Sequence, residues 1–161
     1  MNTLLTLAFN KNTSIAPLAL RLVAGIIFTA YGSQKLFAWF GGYGLEGTGQ
    51  FMSSLGLEPG YLMALMAGSA EFFGGLLLIA GLLTRPTALV LAITMLVAIV
   101  TVHLPNGLFM ANNGYAFALS LMAMSLSLFV SGAGKFAVDS VIAKALASKT
   151  TTSHARANAS A

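Results

Sequence analysis

The sequence has no cysteine and very little charge, and each shortage excludes a class of chemistry. Without cysteine, the chain by itself offers no disulfide exchange, thiolate catalysis or cysteine-held iron–sulfur cluster. The 8 basic and 4 acidic residues amount to 7% of 161 positions, against roughly 25% in a soluble globular domain. So few charges cannot clothe a surface facing water. The net charge of +4 is not gathered into a basic patch interleaved with aromatics, so nucleic-acid binding is not expected.

What the chain has instead is apolar length. Residues of the hydrophobic class make up 57% of it, and its mean hydropathy is +0.85. A bilayer core about 30 Å thick is crossed by roughly 20 helical residues. Four stretches approach that length, at about 17–37, 61–83, 86–104 and 115–131. They lack period-2 alternation, and backbone in lipid must satisfy its own hydrogen bonds, so helices are expected rather than strands. The fold class read from sequence is therefore all-α: an integral membrane four-helix bundle occupying residues 1–139, with a largely disordered tail at 140–161. Pro17 suits a first helical turn. Thr84-Arg85-Pro86 is a short link that makes the second and third spans an antiparallel hairpin, and Leu104-Pro105-Asn106-Gly107 carries turn chemistry. Gly41-Gly42-Tyr43-Gly44 opens what reads as a long loop to Pro59-Gly60.

Lysine and arginine orient the spans. Lys11, Arg21, Arg85, Lys135, Lys144, Lys149 and Arg156 fall on one side of a chain that crosses four times, and only Lys35 falls toward the other, near Glu46 and Glu58. Both termini are accordingly expected in the cytoplasm, in a bacterial-type inner membrane. The first stretch is longer than a signal-peptide core and has no small-residue cleavage site after it.

Ionisable residues inside a span are costly, so they mark sites. Glu71 lies near the middle of the second span, with Ala67, Gly74 and Gly75 at helical spacing around it. A small face lets a neighbouring helix approach closely, so Glu71 is expected inside the bundle, either neutral or paired with a cation. Arg21, Gly25, Phe28, Gly32 and Lys35 form one stripe of the first span, expected to pack on the second. Counting rise from the span ends puts Arg21 and Lys35 each about 12 Å in depth from Glu71, so the partner is left open. A polar pocket holding all three is the other solution. On the outer side, the same side as Lys35, His103, Trp39 and Tyr115, with Asn112 and Asn113 nearby, are candidates for the rim of an outer-face pocket. No second His, Cys or carboxylate completes a metal set with His103. His154 reads as a solvated tail residue, and the Thr87, Thr94 and Thr101 repeat as a packing face.

Several of these segments resemble the DoxX family. The likeness rests on Arg21-Leu22-Val23-Ala24-Gly25, Gly32-Ser33-Gln34-Lys35-Leu36, Glu71-Phe72-Phe73-Gly74-Gly75 with Gly81 and Thr84-Arg85, and Ser131-Gly132-Ala133-Gly134-Lys135-Phe136-Ala137-Val138-Asp139. The resemblance implies a small four-helix inner-membrane protein connected with quinone-linked oxidation of sulfur compounds or with oxidative-stress complexes. The sequence has no haem-ligand pair, flavin motif or cysteine pair, so no cofactor held by the chain itself is expected; a quinone, a redox partner protein, the lipid bilayer and a second copy are the expected company. Relatives often carry Glu after the aromatic that opens the fourth span, whereas Ala116 follows Tyr115 here, so no role of that carboxylate carries over. On this reading the chain supports a redox reaction and does not catalyse one alone, with Lys35 and His103 as donors and Glu71 as a proton relay. A scaffold whose charges only specify packing and a proton or small-solute transporter gated by Glu71 are the alternatives.

Overall fold

The computed structural model of the chain describes residues 14–144. Lys11, Lys149, Arg156, His154 and the tail beyond residue 144 lie outside the described residues, as does the expectation attached to them. Among the described residues every regular element is helical. Helix α1 spans Ala16–Phe37, α2 Gly44–Ser54, α3 Gly60–Ala80, α4 Thr84–Ala98 and α5 Ala116–Ser131. A π-helical turn at Ile99–His103 and a 3-10 turn at Leu104–Asn106 prolong α4, and residues 138–144 are helical again.

Three helical segments are long and apolar enough to cross a bilayer: Ala16–Phe37, Gly60–Ala80 and Thr84–Asn106, of 22, 21 and 23 residues. At 1.5 Å per residue each exceeds about 30 Å. Helix α5, with 16 residues, is apolar but shorter. Apolar side chains lie outside as well as inside. Leu62, Met66, Phe73, Val90, Ile93 and Leu96 are exposed, whereas Phe28, Leu78, Leu91, Leu121 and Leu128 interlock in the core. In water such a surface would aggregate; against acyl chains it is solvated. The protein is a membrane protein.

Small residues draw α1 and α3 together. A Cβ added at Gly32 would stand 2.7 Å from the Phe72 Cα and 2.8 Å from the Gly68 carbonyl, and one at Gly25 would stand 2.7 Å from the Gly75 carbonyl. No real side chain fits there, so these glycines let the two backbones touch. The pairing runs antiparallel: Gly25 meets Gly75, and Gly68 meets Lys35 and Leu36. Helix α4 lies on the other side of α3, with Leu91 over Gly74. Helix α5 packs chiefly on α4 and only lightly on α1.

Two sequence expectations change here. The stretch 41–60 is not simply a loop, because α2 forms within it. Its Gly49 lies against the Tyr61 backbone, 3.0 Å from a Cβ position to the Tyr61 Cα, so α2 is held as a cap on the start of α3. Helix α3, the second span, also stops earlier than the apolar run, at Ala80. Gly81 takes φ +67°, its N–H donates to Leu78, and Leu82 N–H donates to Leu77. This paired closure is the glycine-ended helix stop. Residues 138–144 carry helix into the start of the stretch read from sequence as tail.

Candidate functional site

Glu71 sits between α1 and α3 with 3% of its surface exposed. Lys35 Nζ donates to Glu71 Oε2 at 2.5 Å, and the lysine side chain keeps 25% exposure. The helix register explains the choice of partner. Gly68 faces Lys35 and Gly81 faces Arg21, so Glu71 lies three residues, about 4.5 Å, from the Lys35 level and ten residues, about 15 Å, from the Arg21 level. The equal depths expected from the span ends therefore give way to a clear asymmetry. Side-chain direction strengthens it, because Cα–Cβ bonds tilt toward the helix N-terminus. In an antiparallel pair that sends Lys35 and Glu71 toward each other and turns Arg21 away.

Arg21 has another task. It is fully buried; Nη1 donates to the Ala133 carbonyl at 2.9 Å and Nη2 to the Phe136 carbonyl at 3.0 Å. Beside it, Asp139 accepts from the backbone N–H of Leu83 at 2.8 Å and of Thr84 at 2.9 Å. The carboxylate thus closes the exposed donors at the N-terminus of α4, where the helix dipole favours an anion. Arg21 and Asp139 tie the start of α1, the α3–α4 link and residues 133–139 into one knot. A pocket holding Arg21, Lys35 and Glu71 together is not what forms. Asp139 is a residue that charge counting within spans passes over, since it lies beyond the last one; its place in the closing Gly-x-Gly segment was the available signal.

Around the ion pair stand aromatic rings. Lys35 Nζ lies 5.6 Å from the centroid of the Tyr31 ring, and Tyr31 is 5.6 Å from Phe117 of α5 between ring centroids. Phe37 links Trp39 and Phe72, each at 5.2 Å. Tyr31 escaped the sequence reading, although it precedes Lys35 by four residues on the same helical face.

The three outer candidates are not one joined set. Trp39 is exposed and rests on Phe37. Tyr115 packs against the apolar core. His103 Nδ1 lies 2.9 Å from the Asn113 carbonyl; an oxygen acceptor there means that Nδ1 carries the proton. Among the described residues no hydrogen bond or ring contact joins Trp39 to either of the others, and no group of three His, Asp or Glu could hold a metal ion.

This arrangement, an intramembrane lysine–glutamate pair on a glycine-packed helix pair with an arginine–aspartate knot at the other end, sits on a recognisable sequence. The DoxX family model matches residues 16–104. The chain belongs to the DoxX family. Among curated relatives, the Bacillus subtilis protein named "Putative oxidoreductase CatD" is 37% identical over 135 residues, covering 84% of this DoxX chain and 92% of the relative. An uncharacterized protein of Haemophilus influenzae is 33% identical over 127 residues, 74% of this chain and 85% of that one. The Escherichia coli "Inner membrane protein YphA" is 33% identical over 88 residues, 55% of this chain and 59% of that protein. No solved structure matches the chain.

Proposed function

We propose that this DoxX protein crosses a bacterial inner membrane four times, with both termini in the cytoplasm, and serves as a small subunit or accessory protein of a membrane redox system that holds a quinone headgroup at Lys35 and Glu71. The observation that carries the reading is the ion pair between buried Glu71 and partly buried Lys35. A buried pair is poor at adding stability, because the loss of hydration rivals the attraction gained. Its presence inside an apolar helix pair points to use. The names of the relatives add a redox context and an inner-membrane context. Four crossings are supported by the three long apolar helices together with α5, and the topology by the distribution of basic residues.

The residues present fit a quinone. An ammonium has three N–H donors, of which the Glu71 bond takes one, so Lys35 has donors to spare for a carbonyl oxygen. Glu71, buried beside it, can take or release a proton as the lysine shifts toward a ligand. A bound quinone supplies two-electron chemistry with coupled protons; electrons come from a partner protein. What the chain contributes is orientation through Lys35, a proton-holding atom at Glu71 Oε2, and a wall on the α3 side where the α1 and α3 backbones touch.

Mass spectrometry of quinones that co-purify with the detergent-solubilised protein tests this. The wild type retains quinone in stoichiometric amount and Glu71→Gln loses it. Absence of quinone from both overturns the site. Failure of Glu71→Gln to assemble, without any quinone in the wild type, instead favours a scaffold whose charges fix helix register.

A further inference from the structure

The pair is sealed on one side and open on another. Toward α3 the backbones of Gly32 and Gly68 are in contact, and nothing larger than a side-chain atom passes there. Toward α5 the packing on α1 is light. On that side Tyr31 keeps 43% exposure, with Phe117 of α5 against its ring. Tyr31 lies six residues before the end of α1, about 9 Å below it. With α1 spanning a core about 30 Å thick, that depth is expected to turn its exposed face to acyl chains.

Two polar groups are left short of partners at this seam. Lys35 keeps N–H donors beyond the one given to Glu71, at a side chain a quarter exposed. The Tyr31 hydroxyl has no hydrogen bond among the described residues. Polar groups facing hydrocarbon without a partner are costly, and tyrosine commonly finds a partner for its hydroxyl when its ring is packed in apolar surroundings. Both groups therefore call for an acceptor that arrives through the lipid.

We infer that the Lys35–Glu71 pair is reached from the bilayer, through the seam between α1 and α5, by an apolar-tailed molecule whose acceptor oxygens take a spare Lys35 N–H and the Tyr31 hydroxyl, its ring resting against Tyr31 and Phe117. The inference rests on the proposed quinone site and adds its entrance and a further binding residue. Acceptor oxygen on an apolar tail is chemistry shared by a quinone and by a phospholipid headgroup; the flat aromatic walls favour the quinone.

Trp39, the chain's single tryptophan, lies four residues beyond Lys35 and serves as the fluorescent probe. Decylubiquinone, a quencher of indole fluorescence, is titrated into the full chain reconstituted in phosphatidylcholine vesicles, with Tyr31→Phe and Tyr31→Leu alongside. Circular dichroism confirms that each variant is helical. The wild type shows a saturable quenching component above the linear collisional one. Tyr31→Phe, which keeps the ring, weakens it a few-fold, and Tyr31→Leu weakens it at least about tenfold, equal to about 1.4 kcal/mol. Saturable quenching that is the same in all three proteins overturns the entrance and leaves the quinone site standing. No saturable quenching in the wild type overturns both. If vesicles containing phosphatidylglycerol abolish the saturable component in competition with the quinone, the seam is right and a lipid headgroup is its occupant, which overturns the quinone.

Discussion

Two adjacent glycines of α3 offer a matched test of how α1 and α3 are held. A Cβ at Gly75 would stand 2.6 Å from both the Gly25 carbonyl and the Thr29 backbone nitrogen, whereas one at Gly74 would meet side-chain carbons of Leu91 at 3.2 to 3.3 Å. Ordinary contact begins near 3.4 Å, so Gly75→Ala must push α1 away by about 0.8 Å, the difference between 3.4 and 2.6. A gap of about 0.5–1 Å forfeits a quarter to a half of each facing van der Waals contact, and overpacking of this kind costs about 1–3 kcal/mol. Alanine in a helix returns about 0.5–1 kcal/mol relative to glycine. The net expectation is a loss of about 1–2 kcal/mol for Gly75→Ala and little change, or a slight gain, for Gly74→Ala, where leucine can shift its rotamer. Both positions share one helix, one depth and one propensity, so their difference isolates the backbone contact. The assay is unfolding in mixed micelles by titration with sodium dodecyl sulfate, followed through Trp39 emission. Equal midpoints for the two variants would refute the close α1–α3 approach as a source of stability.

Other expectations concern the charges and the topology. Lys35→Met and Glu71→Gln are each expected to destabilise by up to about 3 kcal/mol, since a lone buried charge or an unpaired amide remains. The double variant should then fall well short of the sum of the two, and strict additivity in the same micelle titration would remove the pair from the account. Asp139→Asn keeps the shape but loses charge-assisted bonds to Leu83 and Thr84 and the countercharge to Arg21. It should cost about 1.5–3 kcal/mol, with faster hydrogen exchange at the start of α4; unchanged exchange there would deny the cap. Because the chain has no cysteine, single Tyr43→Cys and Phe136→Cys variants, both at exposed positions, can be labelled in intact cells with an impermeant maleimide. Tyr43→Cys should react from outside and Phe136→Cys only after permeabilisation, and the reverse pattern inverts the proposed orientation.

Much of the fold was legible because lipid imposes a coarse rule: apolar runs near 20 residues become helices. The rule is blind to α2. Gly44–Ser54 holds glycines and polar residues without an apolar run, and it becomes a helix through its fit against Gly60 and Tyr61. Asp139 was visible as a motif residue, but its task depends on residues 133–139 folding back over the α3–α4 link, a contact across more than 50 positions that no local pattern encodes.

The partner of Glu71 depends on side-chain direction, which the sequence contains but a count of helical rise does not use. Depth counted along helix axes treats a side chain as a point at its Cα, and on that footing Arg21 and Lys35 tie. Side chains have direction. A residue on a helix reaches over the turn that precedes it, so in an antiparallel pair two residues converge when each lies C-terminal to the other's level along its own helix, and diverge in the opposite arrangement. Lys35 and Glu71 satisfy the first condition; Arg21 and Glu71 satisfy the second. The same geometry frees Arg21 to reach the Ala133 and Phe136 carbonyls and separates the two ends of the molecule by role. One end is tied by arginine and aspartate through hydrogen bonds to backbone groups. The other keeps a lysine a quarter exposed beside the buried Glu71, with N–H groups beyond the one given to the carboxylate.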